Sequence, residues 1–342
     1  MRAILKSTVS KTILLLLFAA TTGTYSFCQP VKRPEDFGFR SFQLMYNEDT
    51  VNVLVKSAKN EEQRPKPLFL FCQGSLPVPL ILYDGTVGFG TFPFSPDSLL
   101  KDYHIAIIGK PSIPVIGYTN ALQNDYAYRD SSGNFPAGYT SKNLLSWYVA
   151  RNLNVIDYLQ KQAWISKERL VVGGHSEGSM IAAKMAFQSK KVTHLIYSGG
   201  NPLGRMLTII TRNRAYETNL SQLTENDFSR WEAIINDTAN TDGTKGDSFK
   251  AIYEFSTPVV ADFEKLAIPV LVSYGTKDAG VAPFADYLRL EIIRQKKKNY
   301  TFRAYVGWEH NYFGLKENGE TDYDKFNWDN VIIDWLYWLR KN

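Results

Sequence analysis

Residues 39–58, FRSFQLMYNEDTVNVLVKSA, alternate apolar and polar positions on either side of the turn NED, with Val51, Val53 and Val55 on one face. This period of two predicts a pair of strands. The polar loop NEEQRPKP follows, and then the pattern changes. LFLFCQG (68–74), YHIAIIG (103–109), ERLVVGG (168–174), VTHLIYSGG (192–200), IPVLVSYG (268–275) and NYTFRAYVG (299–307) are apolar runs with little alternation. Such runs predict strands covered on both faces. Between them lie stretches with helical spacing. SKNLLSWYVARNLNVIDYLQKQ (141–162) sets Leu145, Tyr148, Leu153, Ile156 and Leu159 near one face. SMIAAKMAFQS, residues 282–296 and the closing WDNVIIDWLYWLRKN also read as helices, whereas 110–140, rich in Gly, Pro, Asn and Tyr, reads as loop.

Strands alternating with helices predict an α/β fold. The expectation is a mostly parallel central sheet of about eight strands, with helices on both faces and the first hairpin adding antiparallel strands at one edge. Residues 201–262 break the alternation. NDFSRWEAIIND is their clearest helix and TANTDGTKGDS their clearest loop. An insertion of this length predicts a mainly helical cap over a site.

The N-terminus changes the charge picture. Arg2, Lys6 and Lys11 precede the apolar run Thr12–Ala20, and Ser26-Phe27-Cys28 offers a small-x-small cleavage site. The run is shorter than the roughly 20 residues a spanning helix needs. The expectation is a secretory signal peptide over 1–28, a mature domain over 29–342, a secreted or periplasmic location and no stable membrane insertion after cleavage. A membrane anchor and a lipid-modified Cys28 are the alternatives. Removing 1–28 takes away three cations and no acids, so the formal charge falls from +5 to 5 − 3 = +2. That balance gives no argument for nucleic acid, and RQKKKN (294–299) reads as a helix end. Once Cys28 is gone, Cys72 is alone and reads as a buried thiol. No cysteine pair or histidine cluster argues for a metal.

The candidate chemistry centres on Gly174-His175-Ser176-Glu177-Gly178, which fits G-x-S-x-G between a strand and a helix. In that context a serine is forced into a sparsely allowed backbone conformation so that its hydroxyl projects, and small neighbours avoid clashes. A serine needs a base. Of the four histidines, His104 and His194 fall in strands and His175 lies inside the turn. His310, in a loop past the last strand, is therefore the candidate base. Asp278, after the strand 268–274, is the candidate acid that orients it, with Asp286 as alternative. The N–H of Glu177 and the N–H of Ser75, or of Gly74, are the candidate oxyanion donors.

These residues carry a resemblance. From about residue 37 onward the chain resembles the α/β-hydrolase superfamily through GGHSEGS, YGTKDAGV, GWEHNYF and FCQGS. It is most similar to the branch of dienelactone-hydrolase-like esterases and prolyl-oligopeptidase-like peptidases. The chain order Ser176, Asp278, His310 is the one that superfamily uses. The resemblance implies a serine hydrolase without cofactor, acting on a small-molecule ester or a peptide. The turn reads Gln-Gly where many relatives carry His-Gly, and 201–262 matches no signature of the family. Tyr126, Tyr128, Phe135, Tyr139, Trp147, Tyr148 and Trp231 could supply aromatic walls. A carboxylic-ester hydrolase is favoured over a peptidase, because peptidases of this branch usually carry a large extra N-terminal domain, for which the few dozen residues between the expected signal and the sheet leave no room. The third reading is an inactive binding protein on a hydrolase fold, which the complete Ser/Asp/His set opposes.

Overall fold

The structure, a computed structural model, describes residues 32–243 and 246–342. The expected signal segment lies outside the described residues. Eight strands form the main sheet: β1 (Phe39–Tyr46), β2 (Asp49–Lys56), β3 (Lys66–Cys72), β4 (His104–Ile108), β5 (Ile165–His175), β6 (His194–Ser198), β7 (Val270–Gly275) and β8 (Tyr300–Tyr305). Their order across the sheet is β1-β2-β4-β3-β5-β6-β7-β8. The β1–β2 and β2–β4 pairs are antiparallel, and all later pairs are parallel. The hairpin turns at Asn47 and Glu48, both with positive φ. That geometry matches the twist of the flanking strands.

The longer helices are α1 (Leu145–Leu159), α2 (Glu177–Gln188), α3 (Arg205–Tyr216), α4 (Leu223–Asn236), α5 (Phe249–Phe255), α6 (Ala282–Arg294) and α7 (Trp328–Lys341). Of these, α1, α2 and α6 cover one side of the sheet and α7 the other, which explains the unbroken apolar runs. Leu68 and Leu70 of β3 pack with α1, α2 and α6, while Phe69 and Phe71 face Val331, Ile332 and Trp335 of α7. The inner strands β3, β4, β6 and β7 therefore bury both their odd and their even residues, whereas β8 at the sheet edge is mostly half-buried. Among the described residues no helix is long and apolar enough to cross a membrane.

Two expectations need correction. Residues 110–140 are not all loop: Ile116–Tyr118 pairs in parallel with Ile81–Tyr83 in a small second sheet, and Ala137–Thr140 is a helical turn. Short elements rich in Gly and Pro carry too little periodicity to be seen in sequence. The helix predicted over 141–162 is also shorter. Leu144 is extended, so α1 starts at Leu145. Asn143, in the break, donates from Nδ2 to Asp247 and accepts from the Tyr148 hydroxyl.

The segment between β6 and β7 holds α3, α4 and α5. They close around a small apolar core of their own, Met206, Ile234 and Ile252.

Candidate active site

Strand β5 ends at His175, and α2 begins at Glu177. Ser176 makes the whole turn, with φ 57° and ψ −126°. Such a conformation costs on the order of 1–3 kcal/mol and persists only where surrounding structure imposes it. Here the Ser176 N–H donates to Ser198 O at 2.9 Å, and the Ser176 carbonyl accepts from Ser179 N at 3.1 Å. The flanking glycines are required by space. A Cβ on Gly178 would lie 2.5 Å from Gln73 O and closer still to Cys72 O; one on Gly174 would press on the backbone of Gly178 and Ser179. The elbow is thus packed backbone to backbone against the end of β3.

The Ser176 hydroxyl caps nothing in the helix below it. Its Oγ lies 2.9 Å from His310 Nε2, and His310 Nδ1 is hydrogen-bonded to Asp278 Oδ2. The loop carrying His310 is fixed from beneath by Tyr312, whose hydroxyl lies 2.7 Å from Ser198 Oγ and 3.3 Å from Ser273 Oγ. Asp278 sits in the turn after β7, where it is nearly fully buried and also accepts from Gly280 N at 3.2 Å and Arg212 Nη2 at 3.4 Å. Burial alone would raise its carboxyl. The His310 hydrogen bond, the charge of His310 and that of Arg212 outweigh burial and hold it below the usual carboxylate range. An ionised carboxylate on Nδ1 fixes the tautomer that leaves Nε2 free to accept the serine proton. Asp286, the alternative acid, lies on α6 and accepts instead from the Tyr274 hydroxyl.

The other histidines are occupied elsewhere. His104 Nδ1 lies 2.7 Å from Ser57 Oγ and its Nε2 2.9 Å from Arg64 O, while His194 Nδ1 meets Thr193 Oγ1 at 2.9 Å. His175 is buried, with Nδ1 3.0 Å from Ser198 Oγ. Burial, followed by the nearby His310 charge, pushes its pKa down to about 3. It therefore stays neutral 5.0 Å, ring to ring, from His310.

Glu177 opens α2, where the first N–H groups have no partner within the helix. Among the described residues neither the Glu177 N–H nor the Ser75 N–H donates to a protein acceptor. Both residues line the cleft at Ser176. Gly74 backs Ser176, since a Cβ there would stand 3.9 Å from Ser176 Cβ. A developing negative charge would meet free amides and the positive end of α2.

The cleft has a volume of about 280 Å³ and is walled by Ser176, His310, Asn201 and the Arg205, Ile209 and Arg212 side of α3, with Phe255 beyond. Phe255 is its ring. Tyr126, Tyr128, Phe135, Tyr139, Trp147, Tyr148 and Trp231 do not line it, so the expected aromatic walls are packing elsewhere. Tyr139 and Tyr148 are buried, and Trp231 stacks on Tyr253 within the insertion.

A buried ionic cluster beside the elbow was not foreseen. The Glu177 carboxylate, 1% exposed, takes Lys110 Nζ at 3.1 Å and the guanidinium of Arg205. Arg205 also reaches Asp247 Oδ2 at 2.6 Å. Burial would raise the Glu177 carboxyl, but the charges of Lys110 and Arg205 hold it below the ordinary range. The four residues are far apart in the chain. The one sequence signal is that Lys110 and Arg205 each follow closely on a buried strand end.

A parallel sheet in this order, with a serine on a strained turn after β5, an acid after β7 and a histidine after β8, defines the α/β-hydrolase fold. The structure has that fold, with eight strands as expected. It is similar to an acylaminoacyl peptidase from Pyrococcus horikoshii (TM-score 0.52, 11% identity, 80% of this chain). It is also similar to Est1E from Butyrivibrio proteoclasticus with ferulic acid bound (TM-score 0.50, 16% identity, 79% of this chain and 91% of Est1E). A third likeness is to a 2,6-dihydroxy-pseudo-oxynicotine hydrolase (TM-score 0.50, 14% identity, 81% and 63%). The chain spans 37% of the length of the peptidase it matches. No protein-family model matches the sequence, and neither does any curated protein.

Proposed function

We propose that the protein is a serine hydrolase that cleaves a small carboxylic ester through an acyl-enzyme, and that it is exported by residues 1–28. The observation that carries the reading is the continuous chain from Ser176 Oγ through both nitrogens of His310 to Asp278. In this reading His310 takes the Ser176 proton as Oγ attacks the acyl carbon, and Asp278 stabilises the imidazolium. The free N–H groups of Glu177 and Ser75 hold the tetrahedral oxyanion. His310 then protonates the leaving alcohol, and water repeats the cycle on the acyl-enzyme. Export is supported by the basic start, short apolar run and small-x-small site of the first 28 residues.

The size of the cleft favours an ester over a peptide. About 280 Å³ is at the low end for small-molecule sites and suits a small acyl group better than an extended chain. That Est1E, which has a similar fold, binds ferulic acid supports the reading.

The test is turnover of a panel of p-nitrophenyl esters and aminoacyl p-nitroanilides by the wild type and Ser176→Ala. We expect ester turnover to exceed anilide turnover and to fall about 10³-fold or more in Ser176→Ala, with the thermal midpoint little changed. Full activity in that variant overturns the nucleophile. Preferential cleavage of the anilides makes the protein a peptidase, and a wild type inert on the whole panel makes it a binding protein.

A further inference from the structure

We propose that Lys110 is the positioning residue of the oxyanion hole: its single buried ammonium ties together the two segments that supply the donors. This rests on the serine-hydrolase reading above. Lys110 follows β4, and its side chain is 3% exposed. Its Nζ donates to Ser75 O at 2.9 Å and to Glu177 Oε1 at 3.1 Å. Ser75 and Glu177 are the residues whose N–H groups stand free at the cleft. They are far apart in sequence, and Lys110 holds both.

Ser75 itself is exposed, between Gln73, whose Nε2 donates to Ile108 O at 2.7 Å, and Pro77, whose carbonyl accepts from Tyr128 N at 2.9 Å. The Ser75 carbonyl is held by Lys110 and by the Tyr139 hydroxyl at 2.9 Å. The elbow side is held at Glu177, whose second carboxylate oxygen takes Arg205. The rings of Tyr139 and Tyr148 flank the ammonium at 5.6 and 5.3 Å, which limits its freedom further.

Stability does not account for the arrangement, because well-packed apolar residues commonly stabilise a core as well as a buried ion pair does. Position does account for it. An oxyanion hole works only if its donors are set before charge develops, since reorganising them during reaction forfeits the gain. A lysine with three donors in one tetrahedral head can fix a carbonyl and a carboxylate from different segments at once.

Wild type, Lys110→Met, Lys110→Arg and Tyr139→Phe are compared on a p-nitrophenyl ester. An alkyl boronic acid, which forms a tetrahedral adduct with serine, and the product carboxylate serve as competing inhibitors. In Lys110→Met, kcat falls about 10- to 100-fold and KM stays within about twofold; in Tyr139→Phe, kcat falls about threefold. Boronate affinity falls in step with kcat/KM, and product affinity does not move. A folded Lys110→Met with wild-type kcat overturns the assignment, as does an equal loss of boronate and product affinity. If Lys110→Met does not fold, Lys110→Arg and Tyr139→Phe decide by the same criteria. Ser176→Ala separates the two claims. Turnover that depends on Ser176 but ignores these substitutions leaves the hydrolase standing and removes the clamp. Turnover that survives Ser176→Ala removes both.

Discussion

At the scale of the residue, the site depends on what is missing at two glycines. Gly178 lies in the first turn of α2, where alanine would ordinarily favour the helix by about 1 kcal/mol. Space reverses that preference, because the added methyl would meet the carbonyls of Cys72 and Gln73. These are backbone atoms at the end of β3 and cannot swing aside as a flexible side chain would. Gly178→Ala is therefore expected to lower unfolding free energy by about 1–3 kcal/mol, as overpacking does. It should reduce ester turnover further than stability alone explains, since the displaced strand end leads into Gly74 and Ser75. Urea denaturation and kcat on one preparation check both parts; a variant as stable as wild type would show that the elbow has slack. The same crowding made the motif legible. Gly, Ser and Gly at this spacing between a β-run and a helix have few other physical uses. Asp278 and His310, which the structure brings together, were legible as candidates because each lies in the loop after a strand, β7 and β8. The cluster of Lys110, Glu177, Arg205 and Asp247 was not, because nothing in the local spacing of those residues reports that they meet.

At the scale of the element, α3 is fastened to the site by arginines seven residues apart, two turns along one face. Arg205 reaches Glu177 and Asp247, and Arg212 reaches Asp278. The first helix of the insertion thus touches both Glu177 and Asp278. Arg212 is exposed, and its 3.4 Å contact is screened by water, so little stability rests on it. Arg205 differs, because its partner Glu177 is buried. Arg205→Met should cost about 3 kcal/mol, the usual effect of leaving a buried charge short of its partner. It should also speed proteolysis within α3 to α5. Unfolding free energy and cleavage rate measured together test this; an unchanged cleavage rate would mean that the insertion is held by its small apolar core instead. Its three helices were legible only in part. NDFSRWEAIIND, all but its last residue, falls within α4, but α5 spans only seven residues and α3 mixes apolar and charged residues, so neither shows a clear periodic face in sequence.

At the scale of the whole molecule, the buried ionisable groups set how the fold responds to acid. His175 has its pKa pushed down to about 3, first by burial, and burial also lowers His104 and His194. The ordinary imidazole value is 6.5. Below that value the unfolded chain takes up protons that the folded chain refuses, so stability is complete above about pH 6.5 and declines as pH falls. Glu177 and Asp278 act with the same sign in a lower window. Their folded pKa values lie below the ordinary carboxylate range, so their contributions are present above that range and are lost as pH falls through the folded values. The decline should therefore begin near pH 6.5, well before any carboxylate titrates, and steepen below about pH 4.5. His175→Asn removes one contributor to the upper window, since the amide can still meet Ser198 Oγ but binds no proton. Removing this one site should flatten unfolding free energy against pH between about 6 and 4.5 by close to one proton, about 1.4 kcal/mol per pH unit at its limit. The steeper fall at lower pH should remain. Urea denaturation at half-unit pH intervals resolves the two windows. A slope unchanged in His175→Asn would mean that His175 is protonated in the folded protein, with its ring 5.0 Å from that of His310.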